Sequence, residues 1–306
     1  YINKDFFIKK KHNIKLYIKN MIYFLEFNNY IPLQNFSNII INYLKENKFK
    51  VEKGLPKNKE DIFITFPVLF VMNKKYKIEN IISNNIILIN TEALYSHWFI
   101  RMKNILFNNK VKYILDYCYK NIKILNQLII KQKFYYCPPC YNKYFENLIP
   151  DNKCKDIDIL FLGLMNNRRE KIKQDLKNEL KDYNILFDHN FNETYQLISR
   201  SKIILDMHFY EENFAIDYYR TSILISNKKF VIHESVQKEE EESEEYKILS
   251  KSLVFCKYDD IVKTCKKYIQ LSSEERDLIA EQTYNIFKNE LYFDKYFPKN
   301  ILKLKT

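Results

Sequence analysis

The residues best suited to chemistry in this chain sit at the ends of short apolar runs in its second half. Asp158-Ile-Leu-Phe-Leu-Gly163 closes on a glycine, and Asn166-Asn-Arg-Arg169 opens a helical pattern just after it. The chain has two glycines, Gly54 and Gly163, so one set between a strand and a helix has a purpose. Glycine permits close backbone approach, and a helix N-terminus offers N–H groups and positive potential to an anion. Arginine usage points the same way. Four of the six arginines fall between positions 168 and 220, in a chain with 44 lysines. The guanidinium fork matches phosphate in a way that an ammonium does not. Arg168 and Arg220 therefore lead the phosphate candidates, ahead of any lysine, and Arg169 reads as a surface arginine. A second apolar run, Ile203-Ile-Leu-Asp-Met-His208, delivers a histidine to a strand end, and Asp217 and Arg220 follow at i, i+3 on one helix face. A third, Lys229-Phe-Val-Ile-His-Glu-Ser235, ends in a polar triplet. Strand ends of this kind are where parallel α/β sheets build their sites.

The elements that must hold these residues alternate. Apolar runs predict strands at 157–162, 184–187, 202–207, 229–233 and 252–255. Helical periodicity falls between them, over 168–180, 192–199, 214–226, 258–270 and 273–289. The first half repeats the theme. Strands are expected at 14–18, 61–66, 85–90 and 111–115, and helices at 37–47, 92–107 and, alone or followed by a strand, 117–131. Cys137-Pro-Pro-Cys140 and Ile149-Pro-Asp-Asn152 bracket a turn-prone linker. A chain of 306 residues thus divides into an N-terminal unit, 1–150, and a C-terminal unit, 151–306. Each is a Rossmann-like, doubly wound α/β sheet, and the two face a common cleft, with the last helix able to pack back on the first unit. The acidic run Glu239–Glu245 reads as a solvated loop.

Charge is uneven along the chain. The net charge is +12, but residues 1–150 carry 24 basic against 10 acidic side chains, whereas residues 151–306 carry 26 against 28. A basic first half can face an anionic acceptor, a membrane surface or nucleic acid, although a Lys- and Asn-rich coding bias gives the same excess. Interleaved segments such as Lys74-Lys-Tyr-Lys77 keep nucleic-acid binding as a rival from another class. Six cysteines are too sparse for a disulfide scaffold, and no second Cys pair or His pair completes a zinc site around Cys137 and Cys140. Asp156-Ile-Asp158 has metal-pair spacing but precedes its strand, away from the cleft edge. No metal is therefore expected. With no signal peptide and no apolar run near the ~18 residues of a membrane span, the chain reads as cytoplasmic. It opens at Tyr1 without a Met, as a module of a longer protein would.

The order and spacing of "DILFLGLMNNRREKI", "SRSKIILDMHFYEENFAIDYYRTSILISNKKFVIHES" and "LVFCKYDDIVKTCKKYIQLSSEERDLIAEQ" resemble the C-terminal half of GT-B fold glycosyltransferases of the CgeB-like, group-1-like set. "IILINTEAL" and "KYILDYCYKNIKIL" look like that group's acceptor-side segments, and the resemblance covers about residues 60–290. It implies a glycosyltransferase that takes a nucleotide-sugar donor, UDP- or dTDP-linked, with contacts at Gly163, Asn166, Arg168, His208, Asp217, Arg220, Glu234 and Ser235. Asp217 stands where a Glu is common, and Leu224 stands near the place of the ribose-holding Glu, which leaves that role to Glu234. The leaving diphosphate needs either a metal or helix termini and cations, and the second route is expected here. The acceptor would be an anionic glycan, a lipid-linked carrier or a protein surface. Inversion would require a base on the acceptor side, for which Glu92 and His97 are the candidates. A sugar-nucleotide epimerase or phosphorylase on the same fold is the rival enzyme.

Overall fold

The structure, a computed structural model, describes residues 21–26, 31–94, 96–128, 131–188, 193–212 and 215–302. The strand expected at 14–18 lies outside them. Six strands form the first sheet: β1 (Ile22–Leu25), β2 (Val51–Lys53), β3 (Ile62–Thr65), β4 (Asn85–Asn90), β5 (Val111–Asp116) and β6 (Lys133–Tyr136). They run parallel in the order β2-β1-β3-β4-β5-β6. Helices α1 (Ile31–Glu46), α2 (Pro67–Met72), α3 (His97–Leu106) and α4 (Tyr119–Leu125) connect them. Strand β4 is buried along its whole length, which its unbroken Ile-Ile-Leu-Ile run requires of a central parallel strand covered on both faces.

The second sheet contains β7 (Ile157–Leu162), β8 (Ile185–Asp188), β9 (Ser201–Asp206), β10 (Val231–Glu234) and β11 (Val254–Cys256). It is also parallel, in the order β11-β10-β9-β7-β8. Its helices are α5 (Asn167–Glu179), α6 (Thr194–Ser199), α7 (Tyr218–Ser226), α8 (Lys238–Glu241), α9 (Glu244–Leu249), α10 (Ile261–Ile269) and α11 (Ser273–Glu290). A capping box between Ser272 and Glu275 starts α11 by satisfying otherwise orphaned N–H groups. Beyond it, Tyr292 bridges to Tyr141, and α12 (Phe293–Tyr296) seats Phe293 against Phe36 and Tyr43 of α1. The end of the described chain therefore packs on the first sheet's helices.

Three sequence expectations are corrected here. The helix expected over 37–47 begins more than a turn earlier, at Ile31, with Ser37 inside it, its hydroxyl donating to the Leu33 carbonyl at 2.8 Å. The helix expected over 92–107 begins at His97, because side chains claim the backbone of residues 92–94. The acidic run is no solvated loop. It forms α8 and α9, with Glu240 and Glu245 buried. Glu240 accepts from the Lys120 and Tyr119 N–H groups at 2.8 and 3.3 Å and from the Cys118 thiol at 3.1 Å, capping α4 of the first sheet. Tyr136 donates to Glu245 at 2.9 Å. Cys137 and Cys140 are free and buried, and burial pushes both thiols well up, which suits packing and not redox exchange.

Candidate functional site

The C-terminal ends of β7, β9 and β10 bring most of the expected donor-side residues together. Beside them lies an open cavity of about 700 Å³, walled by the first turn of α5, residues 234–237 and the Lys257-Tyr258 pair after β11. Arg168 projects from that first turn. Its guanidinium makes two bonds to the Glu234 carboxylate, one of them at 2.8 Å, and Nη1 also donates to the His208 carbonyl at 3.0 Å. The Tyr258 ring stacks 4.0 Å from the guanidinium carbon, and the Tyr258 hydroxyl donates to the Arg168 carbonyl at 2.7 Å. With the Arg168 side chain 8% and the Glu234 side chain 2% exposed, this is a buried ion pair whose remaining acceptor capacity is also used, since His208 N–H donates to Glu234 Oε2 at 3.0 Å.

The neighbouring charges are paired as thoroughly. Arg220 bonds Asp206 at 2.8 Å, Asp217 at 3.0 Å and the Leu162 carbonyl at 2.6 Å, stitching the end of β7 to the start of α7. Burial would raise the Asp206 carboxyl, but Arg220 and the nearby histidines outweigh it and hold the group below the ordinary carboxylate range. His208 Nε2 lies 3.2 Å from the carbonyls of Glu234 and Ser235, so that nitrogen carries the proton. Burial, helped by His233, pushes its pKa down to about 3, and the ring is a neutral tie between β9 and β10.

Two readings of this segment change. Arg169 is not a surface arginine: it is 5% exposed, packed on Phe161 and Phe209, and donates to the carbonyls of Leu164 and Met207. Gly163 is a glycine because of that packing. A Cβ there would stand 3.0 Å from the Phe161 ring and 3.3 Å from Arg169 Nη1, and the Gly163 N–H already donates to Asp188 at 2.9 Å. Asn166 caps α5, accepting from Arg169 N–H at 3.0 Å while its amide donates to the Phe209 carbonyl at 2.6 Å. These residues shape the loop over which the cavity opens. Asp156 and Asp158, by contrast, start β7 at the far edge and pair with Arg200 and Lys202. Among the described residues no group of three or more His, Cys, Asp or Glu side chains is arranged to hold a metal ion.

Across the cleft, β4 and β5 end in Asn90 and Asp116, both buried. Glu92 follows β4, half-buried, with Ser96 Oγ 3.4 Å from its carboxylate. Burial pushes the Glu92 pKa up to about 7; the Ser96 bond works against this, and Asp217 on the opposite wall adds to it. Glu92 and Asp217 thus share one stretch of cleft. Tyr219, two residues beyond Asp217, donates to the Asn90 carbonyl at 3.2 Å and joins the walls. His97 is exposed at the first position of α3, beside Trp98.

Sequence reasoning missed Lys171 and Lys257, exposed cavity-lining cations that pair with no carboxylate among the described residues. Lys171 follows Arg168 at i+3 on α5, a spacing that was legible, but the abundance of lysine hid it. It also missed Tyr258 and the buried Asn90, Asp116 and Asn121, for which the sequence carries only the generic signal of polar residues ending apolar runs.

This architecture is the GT-B fold: parallel sheets of six and five strands meeting at a cleft. No protein-family model matches the sequence, and neither does any curated protein sequence. Among solved structures the chain is similar to TarM, with a TM-score of 0.56 and 11% identity over 89% of this chain; it spans 58% of TarM's length. It is also similar to an alpha-glucosyltransferase (AGT) in complex with UDP, with a TM-score of 0.55 and 8% identity over 93% of this chain and 100% of that one. A T4 phage BGT mutant in complex with UDP-glucose gives a TM-score of 0.52 and 12% identity over the same shares, 93% and 100%. At such identities the likeness is one of fold.

Proposed function

We propose that this chain is a glycosyltransferase that binds a nucleotide-sugar donor in the second half, within 151–306, and transfers the sugar to an acceptor met by residues 1–150. The observation that carries this is a GT-B fold with a cavity at the strand ends of its second sheet, lined by Arg168, Lys171, Lys257 and Tyr258. UDP and UDP-glucose in the related folds favour a uridine donor. Lys171 and Lys257 supply net positive charge to the diphosphate, and Arg168, neutralised by Glu234, offers hydrogen bonds and a rigid wall. Glu234, Ser235 and Tyr258 border the nucleoside. Gly163, Asn166, His208, Asp217 and Arg220 hold the frame in place.

On the acceptor side Glu92 is the candidate base: a carboxyl raised toward neutrality can both accept and release a proton near pH 7. His97, exposed on the same loop-to-helix junction, is the second candidate. Ammonium groups beside the departing diphosphate supply the stabilisation that a metal would otherwise provide, so the proposed reaction is metal-independent. The excess of 14 positive charges before residue 151 steers an anionic acceptor: a glycan, a lipid-linked carrier or a protein surface. Among the described residues no helix is long and apolar enough to cross a membrane.

A thermal-shift panel of UDP, dTDP, GDP and their sugars, run with and without EDTA, tests the donor assignment. Binding to the native state raises the apparent Tm by mass action. A uridine or thymidine nucleotide should raise it equally in both conditions. No shift with any nucleotide would overturn the reading, and a shift that EDTA abolishes and Mn²⁺ restores would overturn metal independence.

A further inference from the structure

We infer that Asn90, Asp116 and Asn121 form a positioning network that fixes the Glu92 segment against the cleft and ties it to the donor-side helix α7 through Tyr219. The inference rests on the reading of Glu92 as the acceptor-side base. The Glu92 carbonyl accepts from Asn90 Nδ2 at 2.7 Å and from Asn121 Nδ2 at 2.9 Å. The next turn is held from the same side, since Leu94 N–H donates to Asn121 Oδ1 at 2.7 Å. Glu92 N–H completes the clamp at 3.3 Å from Asn90 Oδ1.

Asp116 sets which way the two amides face. Its carboxylate accepts from Asn90 Nδ2 at 2.8 Å, from Asn121 Nδ2 at 3.1 and 3.3 Å, and from Cys118 N–H at 2.9 Å. The ionised carboxylate would repel an amide oxygen, so both NH₂ groups face it and the Glu92 carbonyl. Burial pushes the Asp116 pKa up to about 7, and below that pH the Leu94 and Glu92 N–H groups on the two amide oxygens still hold the same orientation. Asn90, Asp116 and Asn121 are each at most 1% exposed, where an unmet polar group is costly, so the arrangement has few alternatives. Such a network does more than a helix cap requires, because Ser96 alone caps α3.

The groups that face the Glu92 side chain come from several elements: Ser96, Tyr117 after β5, Tyr210 before α7, and Asp217 and Tyr219 at its start. None is a cation. With its backbone held at both the N–H and the carbonyl, the Glu92 side chain starts from a fixed point among these groups, and its carboxylate takes a bond from Ser96 Oγ at 3.4 Å. Tyr219 fixes the distance to Arg220 and Asp217, so acceptor-side base and donor-side frame share one anchor.

The test is a ¹³C-carboxyl NMR titration of the full chain, with the Glu92 resonance assigned by its loss in Glu92→Gln. The wild-type midpoint is expected near 7. In Asn121→Ala it should fall toward the ordinary glutamate value of 4.5, and in Tyr219→Phe, which removes one hydroxyl and preserves the ring, by a smaller step. Should Asn121→Ala fail to fold, Asn90→Ser serves the same purpose. An unchanged midpoint in folded Asn121→Ala or Asn90→Ser would overturn the network's role. UDP release from UDP-glucose in water is the second readout: the acid limb of its pH profile should move down with the midpoint, at little change in KM for UDP-glucose. Calorimetry of wild type with UDP-glucose separates the two claims. No binding together with the expected NMR shifts would sink the glycosyl-transfer reading and leave the hold on Glu92 standing.

Discussion

The two walls of the cleft treat charge in opposite ways. On the donor wall the buried carboxylates Glu234 and Asp206 have cationic partners, Arg168 and Arg220, the latter also bonding Asp217, while Arg169 rests on the carbonyls of Leu164 and Met207. On the acceptor wall the carboxyls of Glu92 and Asp116 are held by amides, a hydroxyl and a backbone N–H, with no cation among the described residues, and both are pushed up to about 7, burial being the largest cause in each case. Paired charges make a stiff scaffold. An unpaired, desolvated carboxyl makes a group that can exchange a proton near neutrality. The difference matches a division of labour in which one wall holds a charged ligand and the other handles a proton.

The largest expected effect comes from breaking the donor wall. Glu234→Ala leaves the Arg168 guanidinium buried without its partner and His208 N–H without its acceptor, and should destabilise the chain by about 3–5 kcal/mol in urea unfolding. Replacing both members with apolar residues of similar volume should recover most of that loss. A loss under about 1 kcal/mol for Glu234→Ala would show that the pair is solvated and that the contrast between the walls is overstated.

The next concerns ligand binding on the same wall. Lys171→Ala combined with Lys257→Ala should weaken UDP binding by about 1.5–3 kcal/mol, on the scale of charge-assisted hydrogen bonds, and leave uridine binding unchanged. Equal losses for UDP and uridine would move these lysines from phosphate contact to general support of the cavity.

The smallest effect is on the acceptor wall, and its sign is informative. Because the Glu92 pKa is raised from 4.5 to about 7, the native state binds its proton more tightly than the unfolded chain does. Its contribution to stability therefore declines as pH rises through that window and levels off above it. Glu92→Gln has no such decline. After discounting for partial exposure, the variant should be more stable than wild type by about 1–2 kcal/mol at pH 8 and equal to it near pH 4.5. Asp116 and Glu240, raised in the same direction, are common to both proteins and cancel. A variant less stable than wild type at pH 8 would mean that the Glu92 carboxylate is anchored by charge after all.

Much of this was legible in the sequence, for identifiable reasons. The 157–162 and 85–90 strands coincide with β7 and β4 because central parallel strands are continuous apolar runs with sharp polar ends. The strand-end residues 206–208 and 233–235 came out together for the same reason. What failed was partnership. Periodicity cannot say that Arg169 turns inward onto Phe161, that Gly163 makes room for it, or that Glu240 leaves an acidic run to cap a helix 120 residues earlier in the chain. Preference for arginine over lysine likewise picked Arg168, already paired with Glu234, and passed over Lys171 on the same helix. Residue type marked where charge accumulates, and only three-dimensional contacts separate a charge already matched from one still available to a ligand.

Hydrogen–deuterium exchange of the full chain with and without UDP-glucose addresses the central claim most directly. Donor binding at the second sheet's strand ends should slow exchange in residues 164–171, 234–237 and 257–258, with little change along β1–β3. Protection confined to the first sheet, or none at saturating UDP-glucose, would contradict it.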